Sequence, residues 1–173
     1  MKGGRECSES CMDYLLLELV HHYRTQEYGP PLAAAVEAIG LRVGRQLIER
    51  YAKDKAPLVD QLEVMKFLCK DFWSEVFRKN VDNLRTNKRG TFVLRDNHFR
   101  WLSRLSQNQV PAAVGQGPQP PLPRQELAAD YLHLPCALIR GALLQLGLEC
   151  TVSADASNLP QCEFTVVIKA QPR

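Results

Sequence analysis

The segment that most limits how this chain can fold is Leu58 to Leu84, where Leu58, Leu62, Met65, Cys69, Phe72 and Val76 recur at spacings of four, three, four, three and four. Apolar residues at that period share one side of an α-helix. Phe67, Leu68, Trp73 and Phe77 spread the apolar surface well past the width of a coiled-coil seam. A helix of that kind has to be covered on more than one side, so the pattern predicts a third helix from Leu58 to about Leu84 in the middle of a core. The rest of the chain must supply its cover.

Two helices precede it. Met12, Leu15, Leu16, Leu19, Val20 and Tyr23 predict an amphipathic helix over Met12 to Tyr28, ended by Gly29-Pro30-Pro31. Val36, Ile39, Val43, Leu47, Ile48 and Tyr51 predict a second over Leu32 to Tyr51, followed by a break from Asp54 to Pro57. Gly40 and Gly44 lie four apart, and so on one face of that second helix. Each glycine costs a helix about 1 kcal/mol relative to alanine, so the pair marks either a merely imperfect helix or a place where another backbone comes close.

After Asn83 the period shortens. Thr91 to Leu94 and Phe99 to Leu102 read as short strands joined by a turn at Arg95-Asp96-Asn97-His98. Between Arg78 and Arg104 eight basic residues stand against Asp82 and Asp96. Such a patch suits phosphate or an acidic partner, and a solvated sheet rim equally well. Gln107 to Gln125 carries prolines at 111, 118, 120, 121 and 123 and reads as a flexible insertion. Its Pro120-Pro121-Leu122-Pro123-Arg124 also fits the pattern of a polyproline ligand. A helix follows over Glu126 to Leu146, with Pro135 expected to kink it or end a first turn and Gly147 as its C-terminal cap. Leu148 to Ala154 and Glu163 to Lys169 read as two closing strands, connected through Ser157-Asn158-Leu159-Pro160. This order predicts one α+β domain over residues 12–173 behind a flexible lead of residues 1–11. In it, helices pack on one face of a twisted antiparallel four-stranded sheet.

Function is harder to read from residue types. With 45% hydrophobic and 24% charged residues in 173, the chain has an ordinary globular composition, and a net charge of +3 does not argue for nucleic acid. No apolar run approaches the length of a membrane span, the N-terminus lacks a secretory apolar core, and Lys2 stands where N-myristoylation needs glycine. Six cysteines form no C-x-x-C pair; Cys69, Cys136 and Cys150 sit in apolar runs as small buried hydrophobes, while Cys7 and Cys11 are expected to be exposed thiols. There is no glycine-rich phosphate loop, no G-x-S-x-G and no H-E-x-x-H. His21 and His22 point about 100° apart on a helix and are poorly placed to share a metal, and Cys69 has no histidine near it in sequence. No catalytic, metal-binding or cofactor-binding residues are expected.

Three stretches carry a resemblance. Ile39-Gly40-Leu41-Arg42-Val43-Gly44-Arg45-Gln46-Leu47-Ile48-Glu49-Arg50 resembles a signature of the small subunits of the TRAPP vesicle-tethering complex, of the subunit-six type. Met65 to Trp73, then Asp82-Asn83-Leu84-Arg85-Thr86-Asn87, Gly90, Val93-Leu94 and Asp96-Asn97, is similar to that subunit almost residue for residue. Leu138 to Leu143, Leu146-Gly147 and the alternation of Phe164, Val166 and Ile168 resemble the family's C-terminal helix and strands.

The resemblance covers about Tyr14 to Lys169 and implies a mixed fold whose members pair through their first two helices. It makes Leu15, Leu16, Leu19, Val20 and Tyr23 of the first helix, with Gly40, Val43, Gly44 and Leu47 of the second, candidates for a subunit interface. It implies a scaffold that heterodimerises with the palmitoylated core subunit. The assembled complex would act as a guanine-nucleotide exchange factor for Rab GTPases and tether vesicles between the endoplasmic reticulum and the Golgi. The implied location is cytoplasmic, peripheral to Golgi membranes, with membrane contact only through the complex. Where the palmitoylated relative carries its acylated cysteine this chain has Lys55-Ala56-Pro57, so acylation is not expected. Gln107 to Gln125 is also longer and richer in proline than the family's usual connection. The alternative reading is a small-ligand or lipid-binding module, which requires a deep apolar pocket with an open mouth. A small enzyme using Cys69 is a third.

Overall fold

The apolar centre of the chain folds as a continuous helical rod. In the computed structural model, which describes residues 8–26, 28–55, 58, 60–87, 89–106 and 124–169, it consists of α3 (Gln61–Phe67), a π-turn (Leu68–Phe72) and α4 (Trp73–Phe77). The π-turn takes one more residue per turn than an α-helix, which resets the buried face partway along the rod. Leu68, Cys69, Phe72, Trp73 and Phe77 are all buried.

The rod stops at Phe77, short of the expected Leu84. Arg78 adopts φ 62°, the left-handed conformation that ends a helix, and Asn83–Thr86 forms an edge strand, β1. Glycine usually occupies that stop position, so arginine there gives no punctuation to read.

Before the rod come α1 (Ser10–Thr25), which begins inside the expected lead, and α2 (Leu32–Ala52). After β1 come β2 (Thr91–Asp96), α5 (Arg100–Ser106), α6 (Arg124–Gln145), β3 (Cys150–Asp155) and β4 (Cys162–Ile168). The strand expected over Phe99 to Leu102 is therefore wrong: the segment leads into α5. Phe99, Trp101 and Leu102 are all buried, a pattern that one turn of helix satisfies and strict alternation does not. Arg95 and Asp96, expected in a turn, complete β2. Arg124 and Gln125, assigned to the insertion, start α6. The remainder of that insertion, residues 107–123, lies outside the described residues, as do residues 1–7 of the lead.

α6 runs unbroken through Pro135, against the expected kink or early end. By length and composition it could cross a membrane, yet most of it is buried inside the core. Proline removes one hydrogen bond and crowds the preceding turn, at about 3 kcal/mol in a helix interior. Packing along both α2 and β3 holds the helix together across that point.

The sheet is antiparallel throughout, in the order β1-β2-β4-β3. Phe92, Leu94 and Asp96 of β2 and Cys162, Phe164, Val166 and Ile168 of β4 face the helices and are buried. Between the layers lies an aromatic cluster: Trp73 to Phe164 and Phe99 to Phe164 are each 5.2 Å between ring centres, and Phe77 lies 5.1 Å from both Phe99 and Trp101. Offset and edge-on pairs of this kind each contribute about 0.5–1.5 kcal/mol beyond their area.

The one charged side chain buried among the described residues, Asp96, closes the corner where β2 leaves the sheet. Its carboxylate accepts from Trp73 Nε1 at 3.1 Å, Lys79 Nζ at 2.8 Å and the backbone N–H of His98 at 3.0 Å. A charge so enclosed is tolerated because its acceptors are met and a cation stands beside it. Asp82 accepts from the same lysine at 2.7 Å and from the N–H of Asn97 at 2.7 Å. The lysine hydrogen bond, helped by the Asn97 amide and opposed by partial burial, holds the Asp82 carboxyl below its usual range. Burial pulls the Lys79 ammonium down, but its two carboxylate partners more than offset that and raise it.

Candidate interaction groove between the first two helices

Helix α1 has more apolar surface than its own domain covers. Leu16 and Val20 turn inward and are 4% and 2% exposed, while Leu15, one residue from Leu16, is 60% exposed. Neighbours on a helix point about 100° apart, so a stripe three residues wide has an inner and an outer margin. Leu19 and Tyr23 lie between those extremes, half-buried.

The outer margin of α1 forms one wall of an apolar groove of about 400 Å³. Met12, Leu15, Leu16 and Leu19 come from α1, and Ile39, Val43, Leu47 and Tyr51 from α2. Val76, Trp101, Leu134 and Leu138 close the floor, and Glu75 is the one carboxylate among the lining residues. Of the nine interface candidates the structure brings Leu15, Leu16, Leu19, Val43 and Leu47 together on this groove. Val20 belongs to the core beneath it, and Tyr23 packs against that core near the end of α1, edge-on to His22 with ring centres 5.0 Å apart.

The two glycines belong elsewhere. A Cβ at Gly40 would lie 2.5 Å from the Cβ of Ala137, and one at Gly44 would lie 2.2 Å from the carbonyl oxygen of Leu138. Gly141 answers from the opposite side, where a Cβ would lie 2.3 Å from the carbonyl oxygen of Leu41. The close backbone approach is real, but the second backbone is α6 of the same chain. Gly40 and Gly44 are buried, so their place at a subunit contact is corrected. Eight further residues that line the groove are not among the candidates; of these Met12, Ile39, Tyr51 and Val76 belong to the apolar stripes predicted for their own helices.

Among the described residues lining the groove there is no cysteine, histidine, serine or lysine. Burial pushes the Cys69 and Cys136 thiols each up to about 12 and the Cys150 thiol up to about 11, the last partly offset by Arg140 and Lys169. Burial also raises Cys162. Among the described residues no group of three His, Cys, Asp or Glu side chains stands close enough to hold a metal. Of the basic residues between Arg78 and Arg104, Lys79 pairs with Asp82 and Asp96, Arg95 with Glu163, and Arg100 with Glu9 and Asp13. Ion pairs thus engage three of the eight, and of these only Arg95 lies on a strand.

A family model described as transport protein particle (TRAPP) component matches residues 12–169. The chain is 46% identical over 134 residues to trafficking protein particle complex subunit 6B of Mus musculus, covering 78% of this chain and 77% of that protein. It is 39% identical over 165 residues to subunit 6b of Danio rerio, covering 93% and 97%, and 43% identical over 135 residues to subunit 6A of Homo sapiens, covering 78% and 77%. Among solved structures it is similar to trafficking protein particle complex subunit 3 from Naegleria fowleri, crystallised covalently bound to palmitic acid. That likeness has a TM-score of 0.65 at 15% identity over 96% of this chain and 99% of the other, and concerns the fold alone.

Proposed function

The chain belongs to the TRAPP component family as a small subunit of the subunit-six type, and from that premise we propose that it is a non-catalytic scaffold subunit of the TRAPP complex. Its work is to pair, through the groove between α1 and α2, with the palmitoylated core subunit. The resulting assembly serves guanine-nucleotide exchange on Rab GTPases in transport from the endoplasmic reticulum to the Golgi and within the Golgi. The chain itself stays cytoplasmic, peripheral to those membranes, and meets the Rab protein through the complex.

One observation carries this reading. Leu15 is 60% exposed at the mouth of a groove whose other walls are half-buried Leu19, Val43 and Leu47. An apolar surface left open on a domain that is otherwise well packed is a surface for a partner. Size-exclusion chromatography with light scattering, on the chain alone and mixed with the palmitoylated core subunit, tests it. The expected result is a stable one-to-one complex; no complex at micromolar concentration refutes it.

The same groove supports a second reading, a lipid- or small-ligand-binding module, because about 400 Å³ of apolar volume falls in the range of ligand sites. Native mass spectrometry separates the two: a bound lipid on the isolated chain favours the ligand reading, and a bare chain that pairs favours the scaffold.

A further inference from the structure

Among the described residues the sheet has two open edges, and they are protected unequally. β1, at one edge, has four residues and bears Arg85. β3, at the other, has six, and its middle, Thr151-Val152-Ser153-Ala154, contains neither charge nor proline. Edges of soluble proteins are normally blunted by such residues, because a free edge pairs with other chains.

The ladder determines which main-chain groups of β3 are free. Lys169 N–H donates to the Glu149 carbonyl at 2.8 Å, and Cys150 lies opposite Ile168 in the register. Hydrogen-bonded positions alternate along an antiparallel pair. Thr151 and Ser153 therefore spend their backbone groups on β4, while those of Cys150, Val152 and Ala154 point out from the edge.

Two cavities lie along this edge, and neither shares a residue with the groove. One, of about 270 Å³, sits between Val152 and the helical residues Glu37, His133 and Arg140. The other, of about 220 Å³, sits between Ala154, Asp155 and the α6 residues Ala129 and Leu132. Val152 and Ala154 are two positions apart, roughly 6.6–6.8 Å along a strand, which is also the spacing of successive side chains on one face of a strand.

We propose that β3 receives an extended segment of another protein as a fifth strand, with two side chains of that segment, at positions i and i+2, entering these two cavities. Main-chain bonds to Cys150, Val152 and Ala154 supply the affinity and the cavities supply the choice of sequence. In the first cavity Arg140 pairs with Glu37 yet keeps 36% of its side chain exposed, and His133 stands nearby. The side chain that suits it is a carboxylate. In the second, Asp155 is the only charged lining residue; its Oδ1 accepts from the N–H and the hydroxyl of Ser157, and the side chain that suits its other oxygen is basic. A second copy of this chain fits badly: antiparallel pairing of two β3 edges centred on Val152 sets Glu149 opposite Asp155 at both ends, and like charges directly opposed are unfavourable.

The test is selection of a random nine-residue peptide library on the full chain, followed by amide exchange on the best binder. Peptides with an acidic and a basic residue two positions apart should be enriched, and binding should slow exchange at Val152 and Ala154. Val152→Pro deletes an N–H that β4 does not use, besides fixing φ there, and should weaken binding at least tenfold. Asp155→Lys should weaken it similarly and recover for a peptide in which the basic residue is replaced by glutamate. If Val152→Pro lowers the melting temperature, the charge exchange at Asp155 decides the matter alone. Failure to enrich any peptide, binders that leave those amides exchanging freely, or binding indifferent to the charge exchange overturns the proposal.

Discussion

Leu15 and Leu16 are neighbours of one residue type with opposite roles, and truncating each in turn separates folding from pairing. Leu16 is 4% exposed, so Leu16→Ala loses both transfer energy and packing, about 2–5 kcal/mol. In a domain of this size that lowers the melting temperature by roughly 4–20 °C. Leu15 keeps 60% of its surface in water. Full burial of a leucine is worth about 1.5–3 kcal/mol, so covering that remaining share on pairing contributes about 1–2 kcal/mol, a factor of roughly 5–30 in affinity. Leu15→Ala should leave the melting temperature of the isolated chain within about 2 °C and weaken pairing with the palmitoylated core subunit by that factor. Leu15→Arg, which traps an unpaired charge in the closed interface, should abolish pairing. Scanning calorimetry on the single chain and titration calorimetry on the pair give the two numbers separately. A Leu15→Ala chain with unchanged affinity, or one as thermally weakened as Leu16→Ala, would refute the division of the helix into an inner and an outer margin.

Three further outcomes follow from the geometry. Gly44→Ala sets a Cβ 2.2 Å from a backbone oxygen that cannot swing aside, and should cost about 3 kcal/mol in urea unfolding, whereas Leu47→Ala on the neighbouring groove face should spare the fold by comparison and weaken pairing. Iodoacetamide at pH 8 should modify exposed Cys11 while Cys69, Cys136 and Cys150, whose thiols burial holds at about 12, 12 and 11, stay unmodified in peptide mass maps until the chain unfolds. Asp82 has a carboxyl lowered in the folded state, so its contribution is present above the ordinary carboxylate range and fades as pH falls through the folded value; Asp82→Asn should be less stable at pH 7, and the difference should shrink below about pH 4 in denaturant midpoints.

Long periodic segments were legible because periodicity averages over many residues. α1 and α2 appear within three residues of their expected ends, helped by Gly29-Pro30-Pro31 between them. Short segments were not. β1 has only Leu84 half-buried, so its four residues carry no alternation: the expected helix runs into Asn83 and Leu84, and Arg85 and Thr86 fall in no expected element. Phe99 to Leu102 has apolar residues that suit either a strand or a helical turn, and the choice depends on Phe77 and Trp73, distant in sequence and packed against them. The groove was half legible. Spacing marks a stripe on α1, but which margin faces inward depends on how the rest of the domain rotates the helix. The glycine spacing likewise announced a close neighbour without saying that it was α6.

The strand order has a consequence for synthesis. β4 lies between β2 and β3, which never touch each other, and it is the last element of the sheet to leave the ribosome. Until Cys162–Ile168 emerges, β3 has no partner and the β4 part of the sheet's inner face, Phe164 included, is missing from the aromatic cluster. A chain stopped anywhere before that strand leaves its helices on half a floor. The pairing proposed for α1 and α2 therefore waits for β4, although both helices are made first.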